Sequence, residues 1–345
     1  MSSYMAREIA AQPQVLRRLL ELERANVELI AAAVREFDPC FAFIVARGSS
    51  DNAALYGKYL LGARNRLPVA LAAPSLFTLY RSPPELTRAL VVAISQSGQS
   101  PDLLAVAEEA GRQGALTVAV TNAPSSPLAR ACRWVVALHA GEERSVAATK
   151  SYTAQLMALA MLSAGMEGGR DAMEQLHSVP RAVREAMGSE EAARLAAGRL
   201  KDANRCVVIG RGYEYTTAQE IGLKLKELAA IGAMSYSAAD FMHGPVAMVE
   251  PGLPALLVAP SGAAFQEMKG LAERLSRMGA EVIAISDRAD LPESAMRISV
   301  PSTAGDWLSP FVTVVPGQWL ALHLAQARGL DPDRPRRLSK VTRTV

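Results

Sequence analysis

Cysteine is nearly missing from this sequence of 345 residues. The three present, Cys40, Cys132 and Cys206, are too few and too scattered for a disulfide framework or a zinc site. A reducing, cytoplasmic setting is therefore expected. Aromatic residues make up only 5% of the chain, which argues against a platform that stacks unpaired bases. No apolar run approaches the roughly 18 residues of a membrane span. Residues 1–14 carry Arg7 and Glu8 and lack an apolar stretch followed by a small-residue cleavage site, so export is not expected.

A strong charge excess is missing as well. Lysine and arginine total 37 against 34 acidic residues, a balance of +3. Arg334, Arg336, Arg337, Lys340 and Arg343 all follow the last acidic residue, Asp333, and without these five the balance is 3 − 5 = −2. A broadly basic surface for nucleic acid is thus excluded, and attraction to anions must be local. What is present is ordinary globular material, 50% hydrophobic and 21% charged. Disorder and fibrous structure are excluded. At roughly 150 residues per domain, the chain has room for two.

The clearest internal signal is a repeat. An apolar run ending in Arg47-Gly48 recurs as the run ending in Arg211-Gly212, an offset of 212 − 48 = 164. The run from Val91 to Gly98 recurs from Leu256 to Gly262, again offset by 262 − 98 = 164, and Gly114–Asn122 recurs as Gly279–Asp287, offset by 279 − 114 = 165. Each copy alternates short β-branched runs with helical stretches such as 102–113 and 265–278, the pattern of a parallel sheet with crossover helices. The expected fold class is α/β, with two tandem doubly wound parallel-sheet domains at 36–170 and 199–332. A helical segment at 1–35 precedes them, a helical connection at 171–198 joins them, and a tail at 333–345 follows.

Sites are expected where the strands of the first copy meet helix amino termini. Ser95-Gln96-Ser97-Gly98-Gln99-Ser100 surrounds one glycine with hydrogen-bonding side chains at such a junction. It can wrap a phosphate through donors and the free N–H groups of the next helix. An ordinary capped turn is the competing reading. The second copy, Pro260-Ser261-Gly262-Ala263-Ala264, keeps the glycine and loses most hydroxyls, so the fold needs the turn and only the first copy needs the donors. Ser49 and Ser50 follow the first strand in the same way, although in isolation a capped helix start is the readier reading. Val146–Ser151 enters another helix and is weak evidence alone. Over roughly 217–230, Glu220, Lys224 and Glu227 share one helical face. A Glu–Lys pair at that spacing reads first as a solvated ion pair worth a few tenths of a kcal/mol. His243, before Gly244-Pro245 and near Asp240, is an acid/base candidate on a loop, with a structural histidine as its default reading, as for His139, His177 and His323. Lys340 lies in what composition alone would make a basic tail.

Together these residues resemble the sugar isomerase (SIS) domain family in its double-domain form, as in the isomerase halves of glucosamine-6-phosphate synthases and in SIS-type glucosamine-6-phosphate deaminases. The likeness spans Glu8-Ile9-Ala10-Ala11-Gln12-Pro13, Arg47-Gly48-Ser49-Ser50, Ser95–Ser100, Ala148-Thr149-Lys150, Lys224-Leu225-Lys226-Glu227, His243-Gly244-Pro245 and the ending Pro335-Arg336 through Leu338-Ser339-Lys340. The resemblance implies a phosphate loop at Ser95, Gln96, Ser97 and Ser100. It implies a sugar site lined by Ser49, Ser50, Ser339 and the backbone of Val146. Glu227 matches the base that moves a proton between C1 and C2, and Lys224 its neighbouring lysine. His243 matches the ring-opening residue supplied from a second subunit of a homodimer, and Lys340 a tail lysine that closes over the site.

Departures from the pattern include Ala148 in place of a serine and Met242 in place of a lysine. With no glutaminase segment or early cysteine nucleophile, the sequence is not expected to liberate ammonia from glutamine. The resemblance implies an isomerising deaminase that turns glucosamine 6-phosphate into fructose 6-phosphate and ammonia, without metal or other cofactor. The alternatives are the same chemistry run in the synthetic direction, deglycation of a phosphorylated fructosamine, and a silent sugar-phosphate sensor. No nucleic-acid or membrane partner is expected.

Overall fold

The computed structural model describes residues 3–338 and 340. The chain opens with α1 (Tyr4–Ala10) and α2 (Gln12–Phe37). There follow β1 (Phe41–Val45), α3 (Ser49–Asn65), β2 (Val69–Leu71), α4 (Ser75–Thr78), β3 (Ala89–Ser95), α5 (Pro101–Arg112), β4 (Leu116–Thr121), α6 (Pro127–Ala131), β5 (Trp134–Ala137), α7 (Lys150–Glu167) and α8 (Arg170–Leu176). Next come α9 (Val179–Ala186), α10 (Glu190–Leu200), β6 (Arg205–Gly210), α11 (Tyr213–Ala229), β7 (Gly232–Ser237), α12 (Ala238–Met242), β8 (Pro254–Val258), α13 (Phe265–Arg277), β9 (Glu281–Ser286), β10 (Met296–Ser299) and α14 (Ser309–Ala327). Among these described residues no helix is long and apolar enough to cross a membrane.

Two compact units result. The first comprises Gln14–Glu143 and Lys150–His177, with Lys340. Its five strands are all parallel in the order β2-β1-β3-β4-β5. Every residue of β3 and β4 is buried, as the two-faced cover of a parallel sheet requires. Side-chain alternation splits the cover: Phe43 and Val45 join Leu103, Val106, Ala107 and Ala110 of α5, while Ile44 points to Gly57 of α3. The spacing of those α5 residues makes its apolar stripe. Helix α7 packs on α3 and is buried continuously from Lys150 to Ala164.

The second unit comprises Ser178–Leu338 together with residues 3–13 and Arg144–Thr149. Its parallel sheet runs β7-β6-β8-β9-β10, the same topology. The repeat extends to single backbone angles. Gly48 caps α3 at φ 58°, ψ −132°, and Gly212 caps α11 at φ 60°, ψ −127°. A Cβ would meet nothing within 4 Å at either position, so glycine is there for the positive φ and not for space. The helices end alike, with Arg66 at φ 55° and Ala230 at φ 51°, 230 − 66 = 164 residues apart.

Candidate functional site

In the first sheet the chain leaves β1 toward one edge and returns through β3 on the other side of β1. The turns after β1 and β3 therefore flank a topological switch point, where open α/β sheets hold ligands. The turn after β3 is built around Ser95, whose hydroxyl is buried and accepts the Gly98 N–H at 3.0 Å. The Ser97 hydroxyl accepts the Gln99 N–H at 3.4 Å. The Gln96 carbonyl accepts from the Asn122 N–H at 3.2 Å and the Thr121 hydroxyl at 3.4 Å, fixing the turn to the end of β4. Gly98 adopts φ 61°, and a Cβ there would lie 2.1 Å from the Ser126 hydroxyl oxygen.

Ser100 is the N-cap of α5 by position, but its hydroxyl makes no capping hydrogen bond; Pro101 opens the helix instead. The capped-turn reading therefore fails for this serine. Gln96, Ser97 and Ser100 remain half-buried at the mouth of the turn. Behind it, the Asp102 carboxylate, 2% exposed, pairs with Arg47 Nε at 2.8 Å and joins the two switch-point turns. The capped-start reading of Ser49 and Ser50 fails as well, because Gly48 is the cap and both serines lie inside α3. Ser49 is half-buried. The buried Ser50 hydroxyl accepts from Gln155 Nε2 of α7 at 2.9 Å.

In the second unit, α11 carries Glu220, Lys224 and Glu227. The sequence reading as a solvated pair is overturned: the side chains of Glu220 and Lys224 are 0% and 1% exposed. Helix α11 packs against α14 and β7, and Gly317 and Gly222 permit that approach. A Cβ at Gly317 would fall 2.3 Å from Ile221, and one at Gly222 would fall 2.0 Å from the Ser235 hydroxyl. Lys224 Nζ lies 2.5 Å from Glu227 Oε2 and 3.5 Å from Glu220 Oε1. Glu227 is 24% exposed. The result is a carboxylate that reaches solvent, held from behind by a buried ammonium. An isolated buried ammonium costs several kcal/mol, which the two carboxylates offset.

His243 is exposed and forms the C-cap of α12, its N–H donating to the Asp240 carbonyl at 3.1 Å. Val146 is half-buried in the irregular segment 144–149. That segment is pinned by the buried Glu8 of α1, whose carboxylate accepts the Arg144 N–H at 2.5 Å and the Ser145 N–H at 3.2 Å. The start of α1 is held in turn by the Asp333 carboxylate, which accepts the Tyr4 and Met5 N–H groups at 2.7 and 2.9 Å.

In the first unit, Lys340 Nζ lies 3.1 Å from Glu143 Oε2. The Glu143 side chain is 0% exposed and also accepts the Ser151 hydroxyl at 2.6 Å. Ser339 lies outside the described residues. Burial pushes the thiols of Cys132 and Cys206 up to about 12, which leaves them protonated and unreactive.

Sequence reasoning did not single out Glu8, Glu143, Asp102 or Arg47 as site residues. For the last two a signal existed: Arg47 and Asp102 recur as Arg211 and Glu267, and that pair is also formed, at 3.2 Å. Glu143 sits in irregular chain without periodicity, so nothing marked it.

Comparison with known proteins matches the SIS domain over residues 41–164 and 199–327. The chain is 37% identical over 348 residues to a glutamine–fructose-6-phosphate aminotransferase (isomerizing) from Thermococcus kodakarensis, a match covering 98% of this chain and 57% of that protein. The chain thus spans a little over half the length of the curated relatives it matches. The C-terminal domain of a glucosamine-fructose-6-phosphate aminotransferase from Francisella tularensis superposes with a TM-score of 0.87 at 26% identity, covering 97% of this chain and 98% of that one. A glucosamine-6-phosphate deaminase from Thermotoga maritima shares the fold, with a TM-score of 0.79 at 22% identity over 99% of this chain and 100% of that one. With the same sheet order in both units and the family match falling on each, the chain belongs to the SIS domain family and carries two copies of the domain.

Proposed function

We propose that this chain is an isomerising deaminase that takes glucosamine 6-phosphate and water to fructose 6-phosphate and ammonia. Ser95, Gln96, Ser97 and Ser100 are the phosphate turn, Ser49 and Ser50 line the sugar, and Glu227, Lys224 and His243 carry the proton chemistry. The observation that carries the reading is the Glu227 carboxylate, open to solvent on one side and 2.5 Å from the buried Lys224 ammonium on the other. A held carboxylate of this kind suits general base work, typically worth about 10²–10⁴ in rate.

The reaction runs through proton transfers and one addition of water. His243 assists opening of the ring to the aldehyde. Glu227 takes the C2 proton, giving an enolamine, and returns it to C1, while a proton passes from the nitrogen to the former aldehyde oxygen, leaving a C2 ketimine and a C1 hydroxyl. Water adds to the ketimine carbon and ammonia departs, leaving the ketone. The exposure of His243 supports its being lent to the site of a second copy in a homodimer. Lys340 is the tail residue that closes over the sugar, with its pairing to Glu143 as the resting position.

The synthetic direction is the second reading, favoured by the aminotransferase relative; it makes glucosamine 6-phosphate from fructose 6-phosphate and free or partner-supplied ammonia. Both directions are tested by incubating the pure protein with glucosamine 6-phosphate, and separately with fructose 6-phosphate and ammonium, and assaying each product. Ammonia and fructose 6-phosphate in equal amounts are expected, with Glu227→Gln binding the ligand but losing turnover by about 10²–10⁴. No turnover in either direction, or full activity of Glu227→Gln, overturns the assignment.

A further inference from the structure

The second unit repeats the architecture of the phosphate turn but fills it from within the chain. Gly262, after β8, stands 262 − 98 = 164 residues beyond Gly98. The pair Arg211–Glu267 repeats Arg47–Asp102. A cavity of about 170 Å³ opens over this second turn, lined among others by Arg211, Tyr213, Glu214, Ser261, Asp306 and Ser309.

Donors that an anion would use are already engaged by carboxylates. Asp306 Oδ2 accepts the Ala263 N–H at 2.8 Å. The Asp287 carboxylate accepts the Ser261 N–H at 2.6 Å and its hydroxyl at 2.7 Å. A Cβ on Gly262 would come within 2.5 Å of the Asp306 carboxyl carbon and both oxygens, so this carboxylate rests directly on the turn.

Asp306 lies in the segment that leads into α14, three residues before Ser309, as the segment 146–148 leads into α7 at Lys150. Tyr213 and Glu214 take the places of Ser49 and Ser50, each 164 residues on. The Glu214 carboxyl turns away into α14, where it meets the Ser309 and Thr313 hydroxyls.

We propose that Asp306 is a built-in substitute for an anionic ligand: its carboxylate occupies the second copy of the phosphate turn and confines phosphoryl ligands to the first copy. A negative charge already lying on the Ala263 N–H both removes the donor and repels a second anion. This proposal rests on the reading of Ser95–Ser100 as the phosphate turn. Removal of the carboxylate frees the Ala263 N–H beside Arg211, which stays on the cavity wall paired to Glu267 as Arg47 is to Asp102 beside the first turn.

Calorimetric titration with inorganic phosphate tests it, using the full chain as wild type, Asp306→Ser, Asp306→Asn and Asp306→Ser/Arg211→Met. Phosphates bound per chain are expected to rise from one in the wild type to two in Asp306→Ser, and to return to one in the Arg211→Met double variant. Asp306→Asn keeps the shape and the acceptor for Ala263, so it guards against misfolding; it loses the repulsion and is expected to bind the second phosphate more weakly than Asp306→Ser. No added binding in either single variant, or added binding indifferent to Arg211, overturns the proposal. The same titration on Ser97→Ala/Ser100→Ala separates the two claims. Loss of the wild-type site there supports the first turn, whereas a gain with Asp306→Ser in a protein whose Ser97→Ala/Ser100→Ala variant still binds keeps Asp306 as the block on the second turn and removes the assignment of the first turn, and with it the confinement of ligands there.

Discussion

Lys224 Nζ sits 2.5 Å from Glu227 Oε2, three residues along the same helix, with the wholly buried Glu220 carboxylate 3.5 Å behind it. One ammonium thus serves a carboxylate that reaches solvent and one that does not. Its removal should be felt in both places.

Lys224→Met leaves the Glu220 charge without its ammonium. Loss of one partner from a buried pair costs about 3–5 kcal/mol, so the urea midpoint should fall by a corresponding amount. Lys224→Met/Glu220→Gln removes that charge as well and should recover a large part of the loss without recovering activity. Equal stability of the single and double variants would show that Glu220 does not depend on Lys224.

The phosphate turn makes a comparison of two glycines informative. At Gly48, φ is 58° and a Cβ meets nothing, whereas at Gly98, φ is 61° and a Cβ falls 2.1 Å from the Ser126 hydroxyl. Gly48→Ala should cost only backbone strain, about 1–3 kcal/mol. Gly98→Ala should cost more; with Ser95–Ser100 proposed as the phosphate turn, phosphate is expected to raise the melting temperature of the wild type and not that of Gly98→Ala. Gly98→Ala/Ser126→Gly should melt closer to Gly48→Ala. If the double variant is no better than Gly98→Ala, the clash is not the cause.

Much of this architecture was legible because the chain states it twice. The offset of 164 placed β1 against β6 and β3 against β8 before any coordinates, and the loss of hydroxyls around Gly262 isolated Ser95–Ser100 as special. Helices α7 and α14 were harder to read. Each is buried along nearly its whole length, so neither has the one-sided apolar stripe that marks a surface helix. The misreading of Glu220 and Lys224 has the same origin. Spacing on a helix reports which residues share a face, but what covers that face is decided by chain distant in sequence, as when α14, about 90 residues further along, packs on α11. Glu143 was invisible for a different reason: its partners, Ser151 and Lys340, lie 8 and 197 residues away, and no local pattern encodes such a pairing.

Glu8 offers a test of how the segment 144–149 is held. Its carboxylate accepts two main-chain N–H groups from residues 136 and 137 positions away. Glu8→Ala should therefore speed hydrogen exchange at the Arg144 and Ser145 amides while leaving β8 and β9 protected. If the Val146 main chain meets the sugar, KM should rise by a larger factor than kcat falls. Glu8→Gln keeps an acceptor and should restore part of the protection. Unchanged exchange at both amides would show that the segment is fixed by other contacts.

Glu214 gives the stability of the second unit a pH dependence with a definite sign. Burial raises its carboxyl above the ordinary value of 4.5; hydrogen bonds with Ser309, Thr217 and Thr313 pull it down by less, and the charge of Asp306 raises it further. The Ser309 hydroxyl can donate to either Glu214 or the Asp306 carbonyl, and the Thr313 hydroxyl to either Glu214 or the Ser309 carbonyl. A protonated Glu214 that donates one hydrogen satisfies this network with fewer conflicts. Because the native state then holds its proton more tightly than the unfolded chain, the contribution of Glu214 is fully present below the unfolded value. It is lost as pH climbs through the raised native value. Glu214→Gln is neutral throughout and lacks this dependence. Unfolding by urea at a series of pH values should show the stability of the wild type falling relative to Glu214→Gln from about pH 4.5 upward. A difference that stays constant from acid to neutral pH would mean that the carboxyl titrates alike in the folded and unfolded chain.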